Sequence, residues 1–465
     1  MEKNRTLILS GSLYRAIFTV SVPLIINNLI QQLYNVADGV WLGQLGTTEF
    51  AATAFVFPIT FLFTSLGFGL SIAGVSILSR LIGAGKPDEA KEYANHLLIV
   101  GVTVGLLFAA LGYALTPTLV GLMGGADDLY MHSVTYMRIL FLGYPFVVIY
   151  FVFQSMMNAE GSTKSITLVS GVSMIVNIIL DPIFIFDVVP KFGVKGLGLG
   201  VAGAAYATIL SQALMMVGGF FLLRVTAKEI FFDFRNFRPN FAMFQKILRV
   251  GLPSAVGNSG SALGFLVLNA FIARYGTDTL AAYAMVNRIT GLIMMPSMGF
   301  GGGLTSIVGQ NLGAGQKERA KDAFRHALML SVALGVVGGV YLYLDRVAIL
   351  HFFIKNPSGS MVSDAFIYIG YSVAILPLMS AFNALMGVFN GSGRTDYSMR
   401  MTVGRLWVIR LPMIFAFQHL TDLGANGIWI SMLLSNLLTV LYGFLIYKTV
   451  DWTRPRPKKL SRAPS

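Results

Sequence analysis

Pro23-Leu-Ile-Ile-Asn-Asn-Leu-Ile-Gln-Gln-Leu-Tyr-Asn-Val-Ala-Asp38-Gly-Val-Trp-Leu-Gly43 is the stretch whose reading decides the fold. It reads as a membrane helix with a proline near its start and a lone carboxylate, Asp38, near its end. A second segment, Asn177-Ile-Ile-Leu-Asp181-Pro182, answers it. An acid in such a run is costly in lipid unless it is paired, hydrated or protonated. Both acids are therefore functional candidates from the outset.

Composition agrees with a bilayer as solvent. The chain has 465 residues, of which 55% are hydrophobic and only 12% charged, with a mean hydropathy of +0.70. That is too apolar for a soluble protein of this size. Strand-like alternation is absent. The apolar runs are rich in Leu, Ile, Met, Ala and Gly, which argues for α-helices, since only helices or closed barrels satisfy their backbone in lipid. The 50 glycines suit helices that approach closely. There are no cysteines, which excludes disulfides and thiol chemistry. The net charge of +13 is read as basic loops facing anionic lipid, not as nucleic-acid binding. Residues 1–22 contain no short apolar run followed by a cleavage site, so no signal peptide is expected.

The hydropathy pattern predicts about twelve transmembrane helices, at roughly 14–41, 49–80, 94–117, 130–158, 165–187, 198–223, 246–273, 279–310, 324–344, 362–389, 396–418 and 424–447. Basic residues gather in alternate connections: Lys3 and Arg5; Arg80, Lys86 and Lys91; Lys164; Arg224, Lys228, Arg235, Arg238, Lys246 and Arg249; Lys317, Arg319, Lys321 and Arg325; Arg394; and Arg454, Arg456, Lys458, Lys459 and Arg462. Connection 42–48 has none, and 121–129 carries only Asp127 and Asp128. Both termini are thus expected in the cytoplasm.

The chain also repeats itself. Pro23 matches Pro253, Asn28 matches Asn258, and Gly46-Thr47 matches Gly276-Thr277. Gly83-Ala-Gly85 matches Gly313-Ala-Gly315, His96 matches His326, Gly161-Ser162 matches Gly391-Ser392, and Pro182 matches Pro412. Each pair is offset by 230, as 253 is from 23. An even number of helices per half makes the repeats parallel, related by a pseudo-two-fold axis along the membrane normal. The expected organisation is an N-terminal six-helix lobe over 1–223, a cytoplasmic linker over 224–245, a C-terminal lobe over 246–448 and a basic cytoplasmic tail over 449–465.

Taken together, Pro23…Asn28…Tyr34-Asn-Val-Ala-Asp38, Gly83-Ala-Gly-Lys86, Ala159-Glu-Gly161, Asn177…Asp181-Pro182, Gly203-Ala-Ala-Tyr-Ala-Thr208 and Val308-Gly-Gln-Asn-Leu-Gly-Ala-Gly315 resemble the multidrug and toxic compound extrusion (MATE) family. Within it, the chain looks like the DinF-like prokaryotic branch, whose acids sit in the N-terminal lobe. The resemblance covers nearly the whole chain. It implies two six-helix bundles around a V-shaped central cleft. It also implies efflux of small, amphipathic organic compounds across the prokaryotic inner membrane against an inward flow of H⁺ or Na⁺. Carried over by motif position, the polar network is Tyr34, Asp38, Tyr136, Asn177, Asp181 and Thr208. Pro23 matches the proline at which the first helix bends.

The residues support this reading on their own. If the first span starts near Tyr14, Asp38 lies about 24 residues along it, roughly 36 Å. Asp181 lies within two turns of the outer end of the fifth span, so both carboxylates occupy the outer half of one lobe. Tyr34 precedes Asp38 by four residues and Asn177 precedes Asp181 by four, each on its carboxylate's face. Thr208 descends on the sixth span to a comparable depth. No Lys or Arg lies in the neighbouring turns, which leaves a proton or a bound cation as the counter-charge. Asp38, Asp181, Asn177 and Thr208 supply hard oxygen ligands suited to Na⁺. The competing reading is a hydrated cap near a helix end. The repeat bears on it: Asp38 maps onto Leu268 and Asp181 onto Leu411, so neither acid recurs in the second lobe.

Arg288 and Arg410 fall in the outer halves of the eighth and eleventh spans. They suit attraction that closes an outer gate, recognition of an anionic or zwitterionic substrate, or simple snorkelling. A related family pattern has a glutamate two residues after Arg288, where this chain has Thr290. Met294, Met295 and Met298 offer adaptable apolar lining for varied substrates. The Gly-Ala-Gly loops lack the Gly-Lys-Ser/Thr ending of a phosphate-binding loop, so ATP use is not expected, nor is any cofactor. His96 and His326 are read as structural. Rival readings are a flippase for a lipid-linked or amphipathic substrate, a polytopic membrane enzyme, and a channel. A two-lobe transporter can work as a monomer.

Overall fold

A computed structural model describes residues 2–190, 192–235, 237–353 and 358–454. The expected basic tail from 455 onward, with Arg456, Lys458, Lys459 and Arg462, lies outside the described residues.

The described chain is all-helical apart from a single bridge between Val188 and Lys195. After the short α1 (Glu2–Ser10), the first bundle contains α2 (Leu13–Leu45), α3 (Thr47–Gly83), α4 (Pro87–Leu122), α5 (Asp127–Ala159), α6 (Thr163–Ile185) and α7 (Gly200–Thr226). A one-turn 3₁₀ segment at Lys228–Ile230 leads into the second bundle. That bundle contains α8 (Phe241–Ala273), α9 (Thr277–Gly313), α10 (Lys317–Leu344), the short α11 (Arg346–Phe353), α12 (Gly359–Gly391), α13 (Thr395–Val403), a π-turn over Gly404–Arg410, α14 (Leu411–Leu420) and α15 (Asn426–Thr449).

Eleven of these helices are long and apolar enough to cross a membrane. The one expected span not among them, the eleventh at 396–418, is instead a continuous coil of α13, π-turn and α14. Its interruption has a local cause. Pro412 has no N–H to give the carbonyl of Val408, and its ring crowds that turn. The backbone widens just before it into i→i+5 closure. The first expected span, 14–41, lies within α2, and a break at Gly11-Ser12 sets the short α1 apart from it.

The two bundles exchange helix halves. Ala16, Ile17 and Val20, on the first half of α2, belong to an apolar cluster with Phe300, Leu304, Phe324 and Phe389 of the second bundle. Leu42, near the end of α2, belongs to the core of the first bundle with Ile77, Met137 and Phe141. The repeat mate α8 does the reverse. Ile247 and Val250 pack in the first bundle's core, and Leu268 and Ile272 in the second's. Pro23 in α2 and Pro253 in α8 lie close to these handovers.

The two ends of the described chain lie on one face, where the bundles touch and Ile8 and Trp452 share an apolar cluster. A Cβ on Gly83 would fall on the carbonyl of Gln310, and one on Gly313 on the carbonyl of Arg80. The two contacts are images of one another under the 230-residue repeat, so α3 and α9 cross backbone to backbone at the pseudo-axis. On the same face, Gln310 Nε2 donates to the Ala159 carbonyl at 2.7 Å. Helix α1 lies across the seam. Asn4 Nδ2 reaches Gly161 O at 3.2 Å and Arg5 Nε reaches Ile82 O at 3.0 Å in the first bundle. Ile8 O accepts from Arg319 Nε of the second at 3.0 Å.

Candidate functional site

Near the far end of the first bundle, α2, α5, α6 and α7 bring six polar side chains together. Asp181 and Asn177 are fully buried, and Thr208 and Tyr136 nearly so. Asn177 Nδ2 donates to Asp181 Oδ1 at 3.1 Å, one helical turn away along α6. The Tyr136 hydroxyl of α5 donates to Asp38 Oδ2 of α2 at 3.5 Å, a long and weak bond. The Asp38 and Asp181 carboxyl groups lie within hydrogen-bonding reach of each other. Tyr34 and Thr208 are likewise neighbours. All six residues of the expected network are thus in one place.

The cluster holds more acceptors than donors. Tyr34 Oη, Asp38 Oδ1, Asn177 Oδ1, Asp181 Oδ2 and Thr208 Oγ1 are all buried without a hydrogen-bond partner in the protein. Leaving such groups unmet costs about 1–3 kcal/mol each, more when charged. Two carboxylates cannot donate to each other, so their approach calls for a proton or a cation between them. Five convergent oxygens with no nitrogen or sulfur among them fit a hard monovalent cation or a proton. Among the described residues no group of three or more His, Asp or Glu is placed to hold a metal ion.

The second bundle has no counterpart. Under the repeat, Tyr34, Asp38, Tyr136, Asn177, Asp181 and Thr208 map onto Gly264, Leu268, Phe366, Trp407, Leu411 and Leu438. Leu268 and Leu411 are buried in the apolar core of that bundle. One half thus carries the polar cluster, and the other fills the same places with apolar groups.

The remaining expected residues fall elsewhere. Pro23 lies inside an unbroken α2. Its missing N–H frees the Thr19 carbonyl, which accepts instead from the Thr163 hydroxyl of α6 at 3.5 Å; Thr167 Oγ1 donates to Pro23 O at 2.7 Å. The sequence reading missed these two threonines, although a hydroxyl pair four residues apart at the start of the partner helix was visible. Arg288 is exposed on α9 and Met295 is buried in it. Arg410 is buried, and beside it is a second arginine that the sequence reading passed over, Arg405.

A parallel duplication into two six-helix bundles, with a polar cluster buried in only one of them, defines a membrane transporter. Residues 23–183 and 253–416 match the MatE family, the two matched segments starting 230 residues apart. The chain belongs to the MatE family. It is similar to the probable multidrug resistance protein YoeA of Bacillus subtilis (strain 168), at 25% identity over 95% of this chain and 96% of that protein. It is also similar to the FAD transporter of Shewanella oneidensis, at 28% identity over 94% of each. Among solved structures, a MATE protein crystallised in a bent conformation superposes with a TM-score of 0.89, at 27% identity, over 96% of this chain and 97% of that one.

Proposed function

We propose that the protein is an antiporter that exports organic, drug-like compounds across a prokaryotic cytoplasmic membrane, driven by H⁺ or Na⁺ entering through the Asp38–Asp181 cluster. The observation that carries this reading is the carboxyl pair, Asp181 buried and Asp38 half-buried, ringed by oxygens that lack a protein partner. A pair in that state binds a proton or Na⁺ readily and changes its charge when it does so. The multidrug name of one relative supports the substrate class. Both termini are assigned to the cytoplasm, in keeping with the basic residues of the terminal face. No cofactor is required, and the unit of function is the monomer in the lipid bilayer.

Helix α2 is suited to transmit the event. Its end carries Asp38 in the first bundle, and its start packs in the second. Between them Pro23 removes one backbone hydrogen bond. A charge change at Asp38 alters how the end of α2 packs on α5, α6 and α7. Bending at Pro23 passes that change to the seam between the bundles. Alternating access follows if one seam arrangement binds the ion better than the other, since a ligand shifts such an equilibrium only by its differential affinity.

The test is ethidium efflux from proteoliposomes under an imposed H⁺ or Na⁺ gradient, with wild type, Asp38→Asn and Asp181→Asn compared. Gradient-driven efflux that falls at least roughly tenfold in both variants is the expected result, and the productive gradient names the ion. Wild-type rates with unchanged gradient dependence in Asp38→Asn would sink the coupling site.

A further inference from the structure

Arg405 and Arg410 are 5% and 2% exposed, the most deeply buried cationic side chains in the second bundle's membrane helices. In an α-helix, residues five apart point about 140° away from each other. The π-turn over Gly404–Arg410 closes i→i+5 instead and brings the two side chains onto one side. They converge on a single acceptor, Asn436 Oδ1 of α15, at 3.3 Å from Arg405 Nη1 and 3.2 Å from Arg410 Nη2. Arg410 Nε donates to Ser435 Oγ at 2.9 Å. Arg405 Nη1 also meets Met379 Sδ at 2.5 Å, and its guanidinium lies 4.6 Å over the Phe382 ring.

Every one of these partners is neutral. Ion pairs such as Lys86–Glu89, Lys321–Glu318, Arg325–Asp322 and Arg454–Asp451 occur among the described residues, and neither buried arginine takes part in one of these. A guanidinium stays charged in proteins. Two of them side by side in a membrane bundle, sharing one amide oxygen, repel each other and lack the counter-charge that such burial requires. Ten N–H donors are set against three acceptor atoms, and Arg405 Nε has no partner at all.

A small cavity lies one helical turn before Arg405. Ser398 and Thr402 precede Arg405 at helical spacing on α13. They line the small cavity between the bundles together with Ile72 of α3, Asn258 of α8 and Asn390 of α12. Beyond Arg410, Tyr283, Tyr368 and Trp429 form a near-parallel stack, with ring centroids of Tyr368 and Trp429 4.4 Å apart.

We propose that Arg405 and Arg410 form an anion-binding subsite in the second bundle, which takes the phosphate or carboxylate of an organic substrate entering from the cleft. It rests on the transporter reading above and adds to its substrates molecules with an anionic group. The two guanidiniums offer the planar forks that match a two-oxygen anion. The bundles then divide the labour: carboxyls in the first take the driving cation or proton, and guanidiniums in the second take the cargo's negative end.

The experiment compares equilibrium binding of riboflavin 5′-phosphate and riboflavin, which differ only in the phosphate, to the full chain in phosphatidylcholine nanodiscs, read by flavin fluorescence. Wild type is expected to prefer the phosphate at least tenfold. Arg405→Gln and Arg410→Gln should each bring the ratio close to one, while Arg405→Lys keeps part of it because the charge remains and the fork is lost. Pro412→Ala, which lets the π-turn relax to α-helix, should lower the ratio without touching either arginine. The proposal is overturned by a wild-type ratio near one, or by a ratio that survives both Gln variants. Displacement of the flavin phosphate by chloride or inorganic phosphate at equal concentration would assign the pair to a small inorganic anion and overturn it. Displacement by phosphatidylglycerol added to the bilayer would assign the pair to a lipid headgroup and overturn it as well. The ratio is read without a gradient, so it should persist in Asp38→Asn. Failure of the coupling site and failure of this subsite are thereby separable.

Discussion

Asp181 is held by one good hydrogen bond, from Asn177, and Asp38 by one poor one, from Tyr136. That difference orders the effects of removing each donor. Asn177→Ala leaves a fully buried carboxyl without its partner and should destabilise the protein by about 1–3 kcal/mol. Tyr136→Phe removes a bond too long to contribute much and should cost less than about 1 kcal/mol. Thermal unfolding of the two variants in detergent checks the order, and equal losses would show that the 3.5 Å contact is stronger than its length implies. Much of this cluster was legible in the sequence. Tyr34 and Asp38, like Asn177 and Asp181, stand four apart, and four residues is one turn of any α-helix. Arg405 was not legible, because α-helical spacing puts it on a different side of the helix from Arg410. Only the π-turn brings the two together.

At the scale of the element, α2, like its repeat mate α8, belongs to both bundles. Its carbonyl at Thr19, released by Pro23, is met by a hydroxyl from α6, so the weak point is supported by the same helix that carries Asp181. Pro23→Ala supplies the missing N–H and removes the ring clash, which is worth about 3 kcal/mol in a helix interior. The variant should unfold at a higher temperature and yet export ethidium several-fold more slowly, because the bend is harder to make. Unchanged transport together with higher stability would show that α2 moves as a rigid rod. The proline was visible in the sequence. That its neighbours belong to different cores was not, since apolar residues on the two halves of α2 look alike.

At the scale of the molecule, the bundles meet on the terminal face through backbone contact at Gly83 and Gly313 and through α1 laid over the seam. Any side chain at Gly83 collides with the backbone of Gln310, which cannot swing aside as a side chain would. Gly83→Val should therefore wedge this face apart. The absence of cysteines allows a pair of spin labels at Lys86→Cys and Lys317→Cys, at the exposed starts of α4 and α10. Their distance should lengthen by several ångströms in Gly83→Val, about the size of the inserted group, because a close-packed crossing has no void to absorb it. Removal of residues 2–10 should broaden the same distance distribution, since Ile82 and Arg319 would lose the strap that joins them. No change in either protein would mean that the bundles are held elsewhere.

The sequence by itself determined the solvent, the number of spans, the duplication, the family and the position of the acidic cluster. These depend on composition and on local or regular spacing: hydropathy over one bilayer width, an offset of 230 residues, and polar side chains one turn apart. Tertiary structure alone decided which half of each swapped helix joins which core, where the bundles touch, and that Arg405 and Arg410 share Asn436. Those outcomes depend on contacts between segments distant in the chain and on one turn of helix whose widening places two charges side by side. No local pattern of residues carries that information.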